Sequence, residues 1–181
     1  MIGNRIKEVF PIVFITIVVF LSVATVTGTY GITRERIEYQ TEQEIQQMLE
    51  DMFPDMSSYD LADSLYTIYS DGAVAGYAFL AAGRGYSGDI DILVGLEDEV
   101  TIKGVTIISQ SETPGLGNRI TENFFTSVFA GINIDDIALK QDGGQIDAIT
   151  GATISSQAVV EAVRDAAIEK VKLLKERAGD E

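Results

Sequence analysis

Two short stretches of this 181-residue sequence carry residue types that could do chemistry. Ser111-Glu112-Thr113-Pro114-Gly115-Leu116-Gly117 sets a carboxylate and two hydroxyls beside a proline–glycine turn. Asp147-Ala148-Ile149-Thr150-Gly151-Ala152-Thr153 sets two hydroxyls about a glycine, with Ser155 and Ser156 close behind. Proline and glycine in the first stretch fix a sharp, irregular turn with exposed amides. Placed before a helix, such a turn can grip an anion or the edge of a heterocycle, although an ordinary strand-to-helix loop uses the same residues. In the second stretch, small residues let backbone and ligand come close. Its hydroxyls suit two roles. They can cap the free amides of a helix start, or they can stand in a phosphate site where those amides and the helix dipole stabilise negative charge. Spacing alone leaves both open, and capping is the simpler.

A third stretch, Gly83-Arg84-Gly85-Tyr86-Ser87-Gly88, matches G-x-G-x-x-G. A dinucleotide fingerprint must open a helix, so that amides and dipole meet a pyrophosphate. Here the glycines lead into the alternating run at Asp89, which favours a glycine-rich hairpin. A loop whose backbone approaches a flat ligand is the other option. Asp89 and Asp91 share one strand face, but no EF-hand loop follows, so a solvated face explains them and no metal site is expected.

The chain has no cysteine and no histidine. Iron–sulfur clusters, haem attachment, disulfides and a Ser–His–Asp triad are thereby excluded, and zinc sites lose their usual ligands. Any redox role must come from an organic cofactor, and no catalytic side-chain constellation is visible. The formal net charge is −15, which disfavours nucleic acid and suits a basic partner or a plainly solvated surface.

The elements that must position these stretches follow from periodicity. Arg5 and Lys7 precede a run from Val9 to Tyr30 without a charged side chain. As a helix it is roughly 33 Å long, close to the hydrocarbon thickness. A cleaved signal peptide is the rival, with Ala24 and Thr25 near a processing site, but the run exceeds a typical signal core. A retained anchor over 1–31 is expected, with its N-terminus cytoplasmic by the flanking charges. Residues 33–53 read as a stalk helix with Ile45, Met48, Leu49, Met52 and Phe53 on one stripe, stopped by Pro54. The stalk thus occupies 32–56 and a globular, extracytoplasmic domain 57–181. Strands are expected at 66–69, 74–80, 89–94, 101–109 and, short, at 145–149, with helices at 118–130 and from Thr153 onward. Val160, Val163, Ala167, Val171 and Leu174 form the apolar face of the last helix. The class is α+β: an antiparallel sheet with flanking helices.

Taken together, the stretches at 111–117 and 147–153 resemble the FMN-binding domain family. The resemblance is best from Gly76 onward, and is narrower to the G subunit of the Rnf complex; the C subunit of sodium-translocating NADH:quinone reductase is similar too. Asp-x-x-Ser/Thr-Gly-Ala-Thr is the family's mark for flavin attachment. It implies FMN held covalently by a phosphoester on Thr153, with Thr150 at the Ser/Thr position beside Gly151 and Ala152. Glu112, Thr113, Leu116 and Gly117 match the loop that lines the flavin. Tyr86 and Ser87 fall in a stretch similar to the family's Gly-Tyr-Gly-Gly, with serine for one glycine. Relatives often carry a histidine shortly before the Glu-Thr-Pro run, where this chain has Gln110-Ser111.

The resemblance implies a flavoprotein subunit of an ion-translocating oxidoreductase (a translocase), relaying electrons from ferredoxin without substrate chemistry of its own. Implied partners are the other members of the complex, above all the similarly flavinylated membrane D subunit, a flavin transferase for maturation, an extracytoplasmic electron carrier and the membrane itself. A quinone-reductase C subunit is the nearest alternative, and a non-redox, membrane-tethered scaffold is the reading without a cofactor.

Overall fold

The computed structural model describes residues 14–25 and 42–179. The chain divides into two units, 1–46 and 47–181. In the first, residues 14–25 form a helix whose apolar side chains, among them Phe14, Ile15, Phe20 and Leu21, are exposed. The hydroxyls of Ser22 and Thr25 donate back to the carbonyls of Val18 and Leu21, so both side chains are satisfied within the helix. Among the described residues, no helix is long and apolar enough to cross a membrane. The flanks of the apolar run, 9–13 and 26–30, lie outside the described residues, as does 33–41 of the expected stalk.

A helix covers 42–52. Leu49 and Phe53 are buried, and Glu42, Glu44, Gln46, Gln47 and Glu50 are exposed, as the stripe requires. Phe53 itself stands one residue past the helix end, because Pro54 disfavours helical backbone at the residue before it.

The second unit is built on a five-stranded antiparallel sheet in the order β1-β2-β3-β4-β5. The strands are β1 (Ser58–Ala62), β2 (Leu65–Ser70), β3 (Ala73–Arg84), β4 (Asp89–Leu96) and β5 (Ile102–Gln110). Sequence neighbours pair throughout, a meander joined by tight turns. Asp63-Ser64 and Asp71-Gly72 close the first two hairpins with positive φ at both central residues, the geometry that matches strand twist. Gly85 N–H donates to the Gly88 carbonyl at 2.9 Å, so the glycine-rich stretch is the β3–β4 hairpin turn and opens no helix. β1 escaped the sequence reading because all its residues are exposed, leaving no alternation to detect.

One sheet face carries Phe79, Ala81, Ile90, Ile92, Val94 and Leu96 into the main core. The helix Thr153–Gly179 lies across it and contributes Val159, Val160, Val163, Ala167, Val171 and Leu174. A Cβ at Gly83 of β3 would sit 2.6 Å from the Ala158 carbonyl oxygen, so the helix rests on bare backbone there. At its far end Lys170 Nζ donates to the Asp63 carbonyl at 3.3 Å, and Arg177 pairs with the Asp63 carboxylate. Leu49, Phe53, Ile68, Ala78 and Leu93 are buried apart from this core, on the opposite face. There a Cβ at Gly95 would collide with Met52 Sδ and one at Gly76 with the Phe53 ring.

The segment between sheet and last helix differs from expectation. Residues 118–130 do not make one helix. They make a 3-10 turn (Gly117–Thr121), one α turn (Asn123–Thr126) and a second 3-10 turn (Ser127–Phe129). Glu122 is extended (φ −74°, ψ 144°), and the break lets Ile120, Phe125 and Phe129 all turn inward. Nor is 145–149 a strand. It forms a single parallel bridge, Ile146 to Leu139, because a 3-10 turn (Lys140–Asp142) and Gly143 in the left-handed region fold the chain back at once.

Candidate functional site

The two motif stretches meet at the N-terminus of the last helix, and Glu112 joins them. Gln110 Oε1 accepts the Glu112 N–H at 2.6 Å, which turns the chain out of β5. The Thr113 carbonyl then accepts from Leu116 N–H (3.1 Å) and Asn118 N–H (3.3 Å). Asn118 Oδ1 takes Gly115 N–H at 2.7 Å, at a residue whose φ of +77° suits glycine. The loop is therefore closed on itself, and Glu112 points inward with only 5% of its surface exposed.

Both carboxylate oxygens of Glu112 are engaged. Oε1 accepts Ser87 N–H at 2.9 Å, from the β3–β4 turn. Oε2 accepts the Ser155 hydroxyl at 2.5 Å, from the first turn of the helix. The fit is tight: a Cβ at Gly117 would lie 2.5 Å from Oε2 and 2.6 Å from Ser155 Oγ, and one at Gly85 would collide with Oε1. Burial pushes the Glu112 carboxyl up. The Ser155 hydroxyl and the N–H groups of Ser87, Gly88 and Tyr86 more than offset it, so the net displacement is downward. Glu112 is thus a buried anion.

The helix start is ordered by a second serine. Ser156 Oγ accepts Ile149 N–H and donates to the Ala152 carbonyl, both at 3.0 Å, and is fully buried. Ala152 N–H donates to the Ile149 carbonyl at 2.9 Å, closing a turn that puts Gly151 at φ +81°. Ser155 and Ser156 are thereby occupied. Thr153, the first helical residue, is exposed, and its hydroxyl has no hydrogen bond among the described residues. The leading N–H groups of a helix have no intrahelical acceptor, so this end attracts an anion.

These pieces enclose a cavity of about 460 Å³, within the range of small-molecule sites. Of the residues singled out from sequence, Tyr86, Glu112, Thr113, Leu116, Gly117, Gly151, Ala152 and Thr153 line it. Tyr86 and Leu116 stand 73% and 47% exposed at its rim, apolar surface offered to solvent. Ser87 takes part through its backbone donor to Glu112. Thr150 does not join them. It lines a neighbouring groove of about 270 Å³ with Arg119, Phe124 and Asp147, on the other side of the Gly151 turn. Two lining residues were not singled out as ligand contacts, Ile154 and Ser155. For Ser155 a signal existed: the apolar face of the helix, traced back one turn from Val159 and Val160, lands on Ser155 and Ser156. Two polar side chains on a buried face need internal partners.

Known proteins share this chain's sequence over the region that holds the cavity. The FMN-binding domain family matches residues 85–168, which span the turn, the loop and the helix start. The G subunit of the ion-translocating oxidoreductase complex of Aliivibrio fischeri (strain MJ11) is 34% identical, over 79% of this chain and 80% of its own. The protein of the same name from Methanosarcina acetivorans is 45% identical over 54% of this chain and 52% of its own. Among solved structures, the C subunit of the Na(+)-translocating NADH-quinone reductase from Parabacteroides distasonis aligns at a TM-score of 0.50 and 26% identity, covering 59% of this chain and 61% of that one. With similarity of this extent over most of a relative's length, and a family match centred on the cavity, the chain belongs to the family of G subunits of ion-translocating oxidoreductase complexes.

Proposed function

We propose that the chain is the FMN-bearing electron-transfer subunit of an ion-translocating, Rnf-type oxidoreductase complex, with the cofactor joined to Thr153 Oγ1 by a phosphoester. The observation that carries the reading is the sorting of hydroxyls at the helix start. Ser155 and Ser156 are buried and bonded, Thr150 faces another groove, and of these hydroxyls about the helix start that of Thr153 is the one exposed at the cavity. The residues present fit the group. The helix terminus suits a phosphodiester charge, and Tyr86, Leu116 and Ile154 offer apolar surface to a flat ring.

FMN in this position supplies one- or two-electron transfer. The chain's own residues bind and orient. Thr153 tethers, the first-turn amides neutralise, and Tyr86 and Leu116 flank the mouth of the cavity. No side chain is needed as acid or base. Glu112, with both oxygens engaged, shapes the wall. Thr150, Gly151 and Ala152 form the turn that presents Thr153, which a flavin transferase would modify.

The reading extends to the setting. Residues 1–31 serve as a single-pass anchor with the N-terminus cytoplasmic, 32–56 as a stalk and 57–181 as the extracytoplasmic flavin domain. The apolar, exposed helix 14–25 within the uncharged run supports the anchor. Electrons from ferredoxin would reach the flavin through the membrane-embedded part of the complex, the D subunit being the nearest partner, and leave to a further member of the complex or an extracytoplasmic carrier. Identity and coverage both favour the Rnf-type G subunit over the quinone-reductase C subunit.

The test is in-gel flavin fluorescence after full denaturation, with the chain produced beside its flavin transferase. The band should fluoresce, and Thr153→Ala should abolish it while Thr150→Ala retains the attachment. A dark wild-type band of unmodified mass would sink the covalent reading.

A further inference from the structure

Glu112 is a buried anion whose charge is met only by neutral donors. Its oxygens accept from Ser87 N–H and Ser155 Oγ–H, and among the described residues no lysine or arginine pairs with it. Neutral donors stabilise a carboxylate locally but do not cancel its charge at a distance, and a low-dielectric wall screens it poorly. The same side chain ties together three segments that border the cavity: the β3–β4 turn, the 112–117 loop and the helix start. Two glycines, Gly85 and Gly117, leave the space it fills. A carboxylate used only as a tie could be replaced by an uncharged pair at less desolvation cost, and that makes its charge worth a separate account.

We propose that Glu112 is a positioning residue that also sets the reduction potential. Its buried carboxylate fixes the cavity wall and lays a permanent negative charge beside the bound ring, disfavouring the electron-rich, reduced cofactor. The inference rests on the reading that this cavity holds FMN. Taking up two electrons and one proton leaves the ring as an anionic hydroquinone, and a like charge nearby opposes that added charge. The ring would then be held at a lower potential than the same cavity with a neutral wall would give. Glu112 meets no reacting atom in this scheme. It acts through the field and through Ser155.

The experiment is spectroelectrochemical titration of the full chain, loaded with flavin beside its transferase, as wild type, Glu112→Gln, Glu112→Asp and Ser155→Ala. Glu112→Gln should raise the midpoint potential by a tenfold or greater shift of the reduction equilibrium, ~30 mV for a two-electron couple. Ser155→Ala and Glu112→Asp keep the charge and disturb the ties. They should lose stability yet stay within threefold of wild type in that equilibrium. A purely structural carboxylate predicts the opposite pattern: lost stability in all three, with Glu112→Gln at the wild-type potential, and that result overturns the proposal. Where Glu112→Gln does not fold, Glu112→Met, uncharged and of similar volume, takes its place: the same tenfold shift supports the proposal and a wild-type potential overturns it. A wild-type chain that takes up no flavin would count against the proposed function itself, an outcome separate from either of these.

Discussion

A carboxylate with a twentieth of its surface in solvent is stable only while its donors stay in place. For Glu112 that makes pH a sensitive probe. Its folded-state value lies below the ordinary glutamate range, held down against burial by Ser155 and the turn amides. A depressed value stabilises the fold above the unfolded pKa and loses that contribution as the pH falls through the folded one. Thermal melts from pH 7 down to pH 3 should therefore show wild type and Glu112→Gln furthest apart at neutral pH and converging in acid. At pH 7, leaving Ser87 N–H with a poorer partner should cost about 1–3 kcal/mol. A constant gap across the range would mean that Glu112 does not titrate with folding. At this scale the sequence was informative about which residues gather and less so about how. The proline–glycine loop and the Thr-Gly turn announced themselves by residue type. The Glu112–Ser155 bond joins residues 43 positions apart, and nothing local encodes it. The resemblance set Thr153 apart from Thr150 by motif position, and a turn with Gly151 at φ +81° between them sends the two to different grooves.

The elements were legible where one side of them is wet. β2, β4 and β5 alternate or run apolar between turn residues, and the last helix repeats its buried positions through Val160, Val163, Ala167, Val171 and Leu174. Legibility failed at both extremes of burial. β1 is exposed on both faces, and the 117–149 segment wraps the core in short turns whose inward residues, Ile120, Phe125, Phe129 and Ile146, follow the core surface instead of a period. The sequence also hid how near the helix comes to the sheet. Gly83 faces the Ala158 carbonyl with no room for a methyl group, and that neighbour is backbone, which cannot swing aside. Gly83→Ala should push the helix start off β3 and destabilise the domain by about 1–3 kcal/mol, as overpacking does. Urea denaturation measures the loss. Because Ala158 lies little more than one turn beyond Thr153, flavin loading should fall with it. Unchanged stability would show that helix and sheet can part without cost.

The whole molecule carries a net charge of −15, and that field bears on any electron that leaves or enters by diffusion. Fixed charges of one sign repel like-charged reagents and concentrate opposite ones, and salt weakens both effects over a Debye length of about 8 Å at physiological ionic strength. The cavity opens at the rim formed by Tyr86, Leu116 and Ile154, all uncharged and exposed, so nothing at the mouth itself reverses the sign. Arg119, in the neighbouring groove, is engaged by Glu122 at 3.3 Å and stacked on Phe124 at 5.0 Å, and its charge is largely answered there. Stopped-flow oxidation of the reduced, flavin-loaded chain should therefore depend on the oxidant's sign. With anionic ferricyanide the second-order rate should rise as salt is added. With a cationic hexaammine complex it should fall from a high starting value. Equal, salt-independent rates would mean that the flavin edge is shielded from the field of the domain, and that a physiological partner is selected by shape at the apolar rim. Opposed salt slopes would mean that the acidic surface selects a basic partner before contact, with the rim deciding only the final fit.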